Sequence, residues 1–164
     1  MKIVVAAVTC PAALVLLLGA ASTAPATTLV DSAPVAYPTA LPAAATAWVV
    51  AQIALHFGPL PTSCWDRHAW NPTSDHPLGK ACDVTFGRLG TFPGPDDVLR
   101  GWVLANWLRA NAAPLQVSYV IWQGRIWSPS RDSESWRAYG GGGVYDASSP
   151  TGGHYDHVHL STTQ

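Results

Sequence analysis

The chain has 164 residues, with nine Lys and Arg against ten Asp and Glu and a formal net charge of −1. Once the first segment is set aside, that length suits one compact domain with one core and not two. Lys2 and Lys80 are the only lysines, so there is no basic footprint for a nucleic acid or an anionic membrane surface.

Lys2, the apolar run Ile3 to Leu18 and the small residues of "GAASTAPATT" read as an export signal, with cleavage expected after Ala26 or else after Ala21. The alternative is an uncleaved anchor, but Thr9 and Pro11 interrupt a run already short of the roughly 20 apolar residues that span a bilayer. Residues 27–42 are Ala, Pro, Thr and Ser with few large apolar side chains and are expected to be a linker. The domain then covers residues 43–164. Export leaves Cys64 and Cys82 as an even pair in an oxidising compartment, where a disulfide is expected. It would close a short loop and stabilise by about 3 kcal/mol.

"AAATAWVVAQIALHF" has strong helix formers and ends at Gly-Pro, which predicts a helix over about 44–56. "ACDVTF" reads as a short buried strand. "PDDVLRGWVLANWLRANAAP" has Pro95 at a first helical position and two Asp in the positive first turn, and predicts a second helix that stops before Pro114. "VSYVIW" and "GRIWS" predict a hairpin about Gly124, and "HVHLS" a last strand. The glycine-rich stretch from Tyr139 to Gly153 is expected to be a loop, either a flap beside a site or a tolerated insertion. The eight tryptophans, all from Trp48 onward, are expected mainly in the core.

In "SDHPLGKACD", Gly79 offers a positive-φ turn between His76 and Asp83, so that a loop histidine and a strand aspartate converge. In "HYDHVH", His157 and His159 are two apart and share one face of a strand. Three N and O donors with a fourth position left to water are what a catalytic zinc site requires.

"SDHPLGKACD" fits the pattern SxHxxGxAxD at every fixed place and resembles the zinc metallopeptidases that include lysostaphin, D-Ala-D-Ala carboxypeptidases and the hedgehog amino-terminal domain. The resemblance implies zinc held by His76, Asp83 and His159. "HYDHVH" is similar to the HxxHxH of murein endopeptidases, which places His154 and His157 near the metal. "YVIWQGRIWS" followed by "DHVHLS" is similar to small secreted bacterial domains attached to cell-wall hydrolases. Where many carboxypeptidases have Glu three residues before the last ligand, this chain has Asp156, and the Arg that holds the substrate carboxylate is shifted by one place to Arg67. His157 is therefore the first candidate for general base or oxyanion contact, Asp156 the second and His154 the third. Ser74 and Arg67 are candidate substrate contacts.

The expected fold is α+β: a small, mostly antiparallel sheet with a zinc site on one face and helices on the other. The expected function is a secreted or cell-wall-associated zinc metallopeptidase acting on peptidoglycan peptides, of carboxypeptidase or endopeptidase type. It is expected to be a monomer, with no nucleic-acid partner and no stable membrane association after signal cleavage. Two rivals stay open: a non-catalytic, zinc-stabilised module that binds cell wall or protein, and a domain with no metal at all.

Overall fold

The computed structural model describes residues 45–71 and 73–163; the expected signal peptide and linker lie outside them. The first helix, α1, runs Ala45–Phe57 and ends at the Gly-Pro pair that follows. A two-residue strand, β1 (Thr62–Ser63), leads through a long loop into β2 (Ala81–Thr85). Helix α2 spans Pro95–Ala110, with Pro at its start and Asp96 and Asp97 in its first turn. β3 (Val117–Trp122) and β4 (Arg125–Trp127) form the expected hairpin, closed by Gln123 and Gly124 with φ of 50° and 64°. Positive φ at both turn residues matches the right-handed strand twist. Two more strands follow, β5 (Arg137–Ala138) and β6 (His157–Thr162).

The second helix stops before Pro114, as expected, and after a break at Asn111 a further short helix, α3, which the sequence reading did not foresee, occupies Ala112–Leu115. Pro114 lies in the first turn of α3, where a missing N–H costs nothing.

The six strands form one sheet in the order β1-β2-β6-β3-β4-β5, with every neighbouring pair antiparallel. Residues alternate between its faces. Cys82, Val84, Val120, Trp122, Val158 and Leu160 point to one side, where they join Val49 and Ile53 of α1 and Leu104, Ala105 and Leu108 of α2 in a single buried core. Asp83, Thr85, Tyr119, Ile121, His157 and His159 point to the other and line a cleft. Register fixes this division, because Asp83 pairs with His159 and His159 in turn with Ile121. The register shifts between Val117 and Tyr119, so Val117 pairs with Thr162 and turns into the core. A bulge of this kind re-aims side chains without ending the strand.

Trp122 and Trp127 are buried, and Trp48, Trp102, Trp107 and Trp136 pack against the core. Trp65 and Trp70, in the β1–β2 loop, are instead 65% and 63% exposed. Cys64 and Cys82 are joined in a disulfide that ties this loop to β2. No helix among the described residues is long and apolar enough to cross a membrane.

Candidate metal centre and cleft

Three segments converge on the sheet face opposite the helices. His76 comes from the β1–β2 loop, in a turn that ends at Gly79 with φ of 67°. Asp83 is the middle residue of β2 and His159 lies beside it on β6. One ligand atom from each of His76, Asp83 and His159 can be chosen so that all lie within 4.8 Å of one another, a group able to hold a metal ion. His76 Nε2 is 3.4 Å and His159 Nδ1 2.9 Å from the two Asp83 oxygens.

The far sides of both imidazoles are held as ligands require. His76 Nδ1 donates to the carbonyl of Cys64 at 3.1 Å, because a carbonyl can only accept, and this turns Nε2 toward Asp83. His159 Nε2 lies 3.1 Å from Ser161 Oγ, and the His159 ring stacks on Tyr119 at 5.4 Å. The Cys64–Cys82 bond thus anchors the carbonyl that orients His76. Burial raises the Asp83 carboxyl, but hydrogen bonds from His159 and His76 outweigh it and hold the group well below the usual carboxylate range. Burial pushes His159 down, toward the neutral form a ligand needs, against the pull of Asp83. For His76 burial also lowers, but the Asp83 hydrogen bond and charge overcome it and the net direction is upward.

His157 stands next to this group, with Nε2 3.6 Å from Asp83 Oδ1 and Nδ1 2.6 Å from Asp156 Oδ1. A carboxylate accepts, so Nδ1 carries the hydrogen and Nε2 is turned to the cleft. Asp156 itself does not line the cleft. It is fully buried, and its other oxygen accepts from the Gly90 N–H at 2.6 Å and the Thr151 hydroxyl at 2.7 Å. Burial raises its carboxyl, and the hydrogen bonds from His157, Gly90 and Thr151 more than offset that. Its oxygens are committed, so it orients His157.

His154 is buried with φ of 56°, and its ring lies 4.7 Å from His157 and 5.4 Å from His159. Among the described residues its Nδ1 has no hydrogen-bond partner, and burial holds the imidazole well below its ordinary value. Ser74 lines the cleft, where its Oγ lies 2.7 Å from His68 Nδ1 and accepts the His76 backbone N–H at 3.3 Å. Arg67 is exposed and lies outside the lining.

The cleft has a volume of about 530 Å³. Sequence reasoning missed His68, Tyr119, Tyr139 and Tyr145, all in its wall. His68 sits 4.8 Å from His76, and Tyr139 edges onto His154 at 4.9 Å. The glycine-rich segment does border the site, since Tyr139, Gly142, Tyr145 and Thr151 face it. That segment is tied down by backbone hydrogen bonds, among them Gly124 N–H to Gly153 and Tyr155 N–H to Pro150. A second hollow, of about 480 Å³, lies by Trp127, Arg109 and Asp132, but there the Arg109–Asp132 ion pair at 2.8 Å satisfies its own charges.

The family model "VldE, C-terminal domain" matches residues 41–155, and the chain belongs to that family. The match takes in His76 and Asp83 and stops short of His157 and His159. Neither a curated protein nor a solved structure gives a significant match.

Proposed function

We propose that this member of the VldE C-terminal-domain family is a secreted zinc metallopeptidase that hydrolyses peptide bonds of peptidoglycan. The observation that carries the reading is the convergence of His76, Asp83 and His159 beneath an open cleft, with the His157–Asp156 pair alongside. Two imidazoles and one carboxylate are the donor set of catalytic zinc sites, which keep a position open. Zinc, when bound, supplies Lewis acidity that polarises a carbonyl and acidifies water. The chain's own share is then proton handling and positioning. His157 Nε2 takes a proton on the cleft side, Asp156 holds the imidazole in the tautomer for that task, and neutral His154 adds a buried polar wall. The resemblance of "SDHPLGKACD" and "HYDHVH" to cell-wall peptidases supports the substrate class.

A non-catalytic module holding the same metal is the second reading. It is favoured by one observation: among the described lining residues the carboxylates are Asp83, in the ligand group, and Asp66, which is turned to His68 at 3.8 Å, so no carboxylate stands beside the ligand group as a free base. The test is to load the purified protein with zinc, incubate it with muropeptides and look for new termini by mass spectrometry. One zinc per chain together with new termini is expected. A stoichiometric metal without cleavage would leave the binding module standing, and no bound metal would remove both.

A further inference from the structure

The charge of the cleft wall says which peptide bond it suits, given the peptidase reading on which this inference rests. Among the described lining residues there is no Lys or Arg, and the only carboxylates are Asp83, in the ligand group, and Asp66 near the mouth. Arg67 and Arg88, neighbours in sequence of lining residues, are exposed and lie outside the lining. Arg125 pairs with Trp122, a core-facing residue, while its neighbour Ile126 faces the cleft. Arg109 is spent on Asp132 at 2.8 Å and Arg100 on Asp97 at 3.1 Å. A carboxylate taken into a partly enclosed cleft needs a cationic or multiply hydrogen-bonded partner to offset its lost hydration. Arg131 is spent on Glu134. Arg137 pairs with the cleft-facing Ile126, but it donates to Ser128 Oγ at 3.3 Å, its Nε and Nη1 are shut from solvent and it lies outside the lining. No guanidinium group of the described residues therefore opens onto the cleft.

The cleft also carries exposed apolar surface on both flanks of the ligand group. Trp70, 63% exposed, packs on His68, which in turn packs on His76. Leu89, 60% exposed, lies on the other flank beside Gly90, whose N–H is bonded to Asp156 behind His157. Apolar groups lining a groove yet open to water gain by being covered. A substrate that ended one residue past the reacting bond would leave one flank uncovered.

We infer that the cleft accepts an internal amide, with chain continuing on both sides of the bond, and discriminates against a residue whose carboxylate is free. The activity is then that of an endopeptidase on cross-linked peptides, not of a carboxypeptidase. Hydrolysis breaks the amide C–N bond, joins the oxygen of one water to the carbonyl carbon and delivers a proton to the departing nitrogen. Water is the sole co-reactant.

The test uses one stem pentapeptide ending in D-Ala-D-Ala, prepared as the free acid and as the C-terminal amide, together with a cross-linked muropeptide dimer. Rates are measured with the zinc-loaded protein, and affinities for the two pentapeptide forms with zinc-loaded His157→Ala protein. The dimer and the amide are expected to exceed the free acid at least tenfold in kcat/KM, and the amide to bind at least tenfold more tightly than the acid. Equal or better cleavage of the free acid overturns the inference while leaving the peptidase reading intact. Cleavage of none of the three sinks the peptidase reading, and the affinity ratio then decides the carboxylate question by itself: a tenfold preference for the amide supports it. Equal affinities, or binding of neither, overturn it.

Discussion

His157 is gripped from behind by Asp156 and aimed at Asp83, whereas His76 and His159 are braced by the Cys64 carbonyl and by Ser161. Substitutions should therefore separate metal holding from proton transfer. His76→Ala and His159→Ala are expected to lose bound zinc, whereas His154→Ala and His157→Ala keep it; His157→Ala should lose muropeptide hydrolysis by on the order of a hundredfold, the usual size of an acid or base contribution. Metal analysis and rates on the same samples check this, and a fully active, zinc-loaded His157→Ala protein would remove the role. Asp156 makes a second prediction, about pH. Its carboxyl is held below its ordinary value in the folded state, so its stabilisation is complete above the unfolded value of about 3.9. It is lost as pH falls through the lowered folded value. Asp156→Asn should cost about 1–3 kcal/mol at neutral pH and flatten the loss of stability in acid; urea midpoints over a pH series measure both. At this scale the sequence was legible where the chemistry is local. His76 and Asp83 are joined by one turn, and His157 and His159 by one strand period. His68, Tyr119 and Tyr145 were not, because only the folded loops and the sheet bring them to the cleft.

Helix α2 lies against the sheet at a position where no side chain fits. Gly101 is buried, and a Cβ built there would collide with the ring of Trp122, which is itself fully buried and packed on Phe86 at 5.6 Å. Two effects oppose each other in Gly101→Ala. Helix propensity favours Ala by about 1 kcal/mol, but overpacking a rigid core costs about 1–3 kcal/mol. Trp122 has nowhere to retreat, so net destabilisation is expected, read as a lower thermal midpoint with an unchanged circular dichroism spectrum. A stabilised variant would show that α2 shifts freely over the sheet. The major elements were readable because their signals are strong: Pro95 with two acids for α2, the Gln123–Gly124 turn for the hairpin, and β-branched runs for β2 and β6. β1 and β5, at two residues each, were not, since a pair of residues carries no period and exists as a strand only because a neighbour pairs with it.

At the scale of the whole molecule, a metal held by His76, Asp83 and His159 would be coupled to stability through the separation of these residues along the chain. One ligand sits in a loop and two lie on adjoining strands that are distant in sequence. A metal that binds only the folded chain adds stability in proportion to the logarithm of its concentration over its dissociation constant, about 4 kcal/mol at a thousandfold excess. Chelation is therefore expected to lower the melting temperature by several degrees, with restoration by zinc and no such response in His159→Ala. An unchanged melting curve on chelation would mean that the group holds no ion in solution.

Strand β6 lies between β2 and β3, both of which precede it. Until it arrives, each of them presents an open row of amide and carbonyl groups, and nothing joins the two halves of the sheet. Contacts between such distant segments make folding slow, and unpaired edges invite association with other chains. During synthesis from the N-terminus, the growing chain thus has no central strand to close upon and must be kept from sticking to its neighbours. A chain stalled or cut before His157 would be left with two adhesive edges and only part of its ligand set.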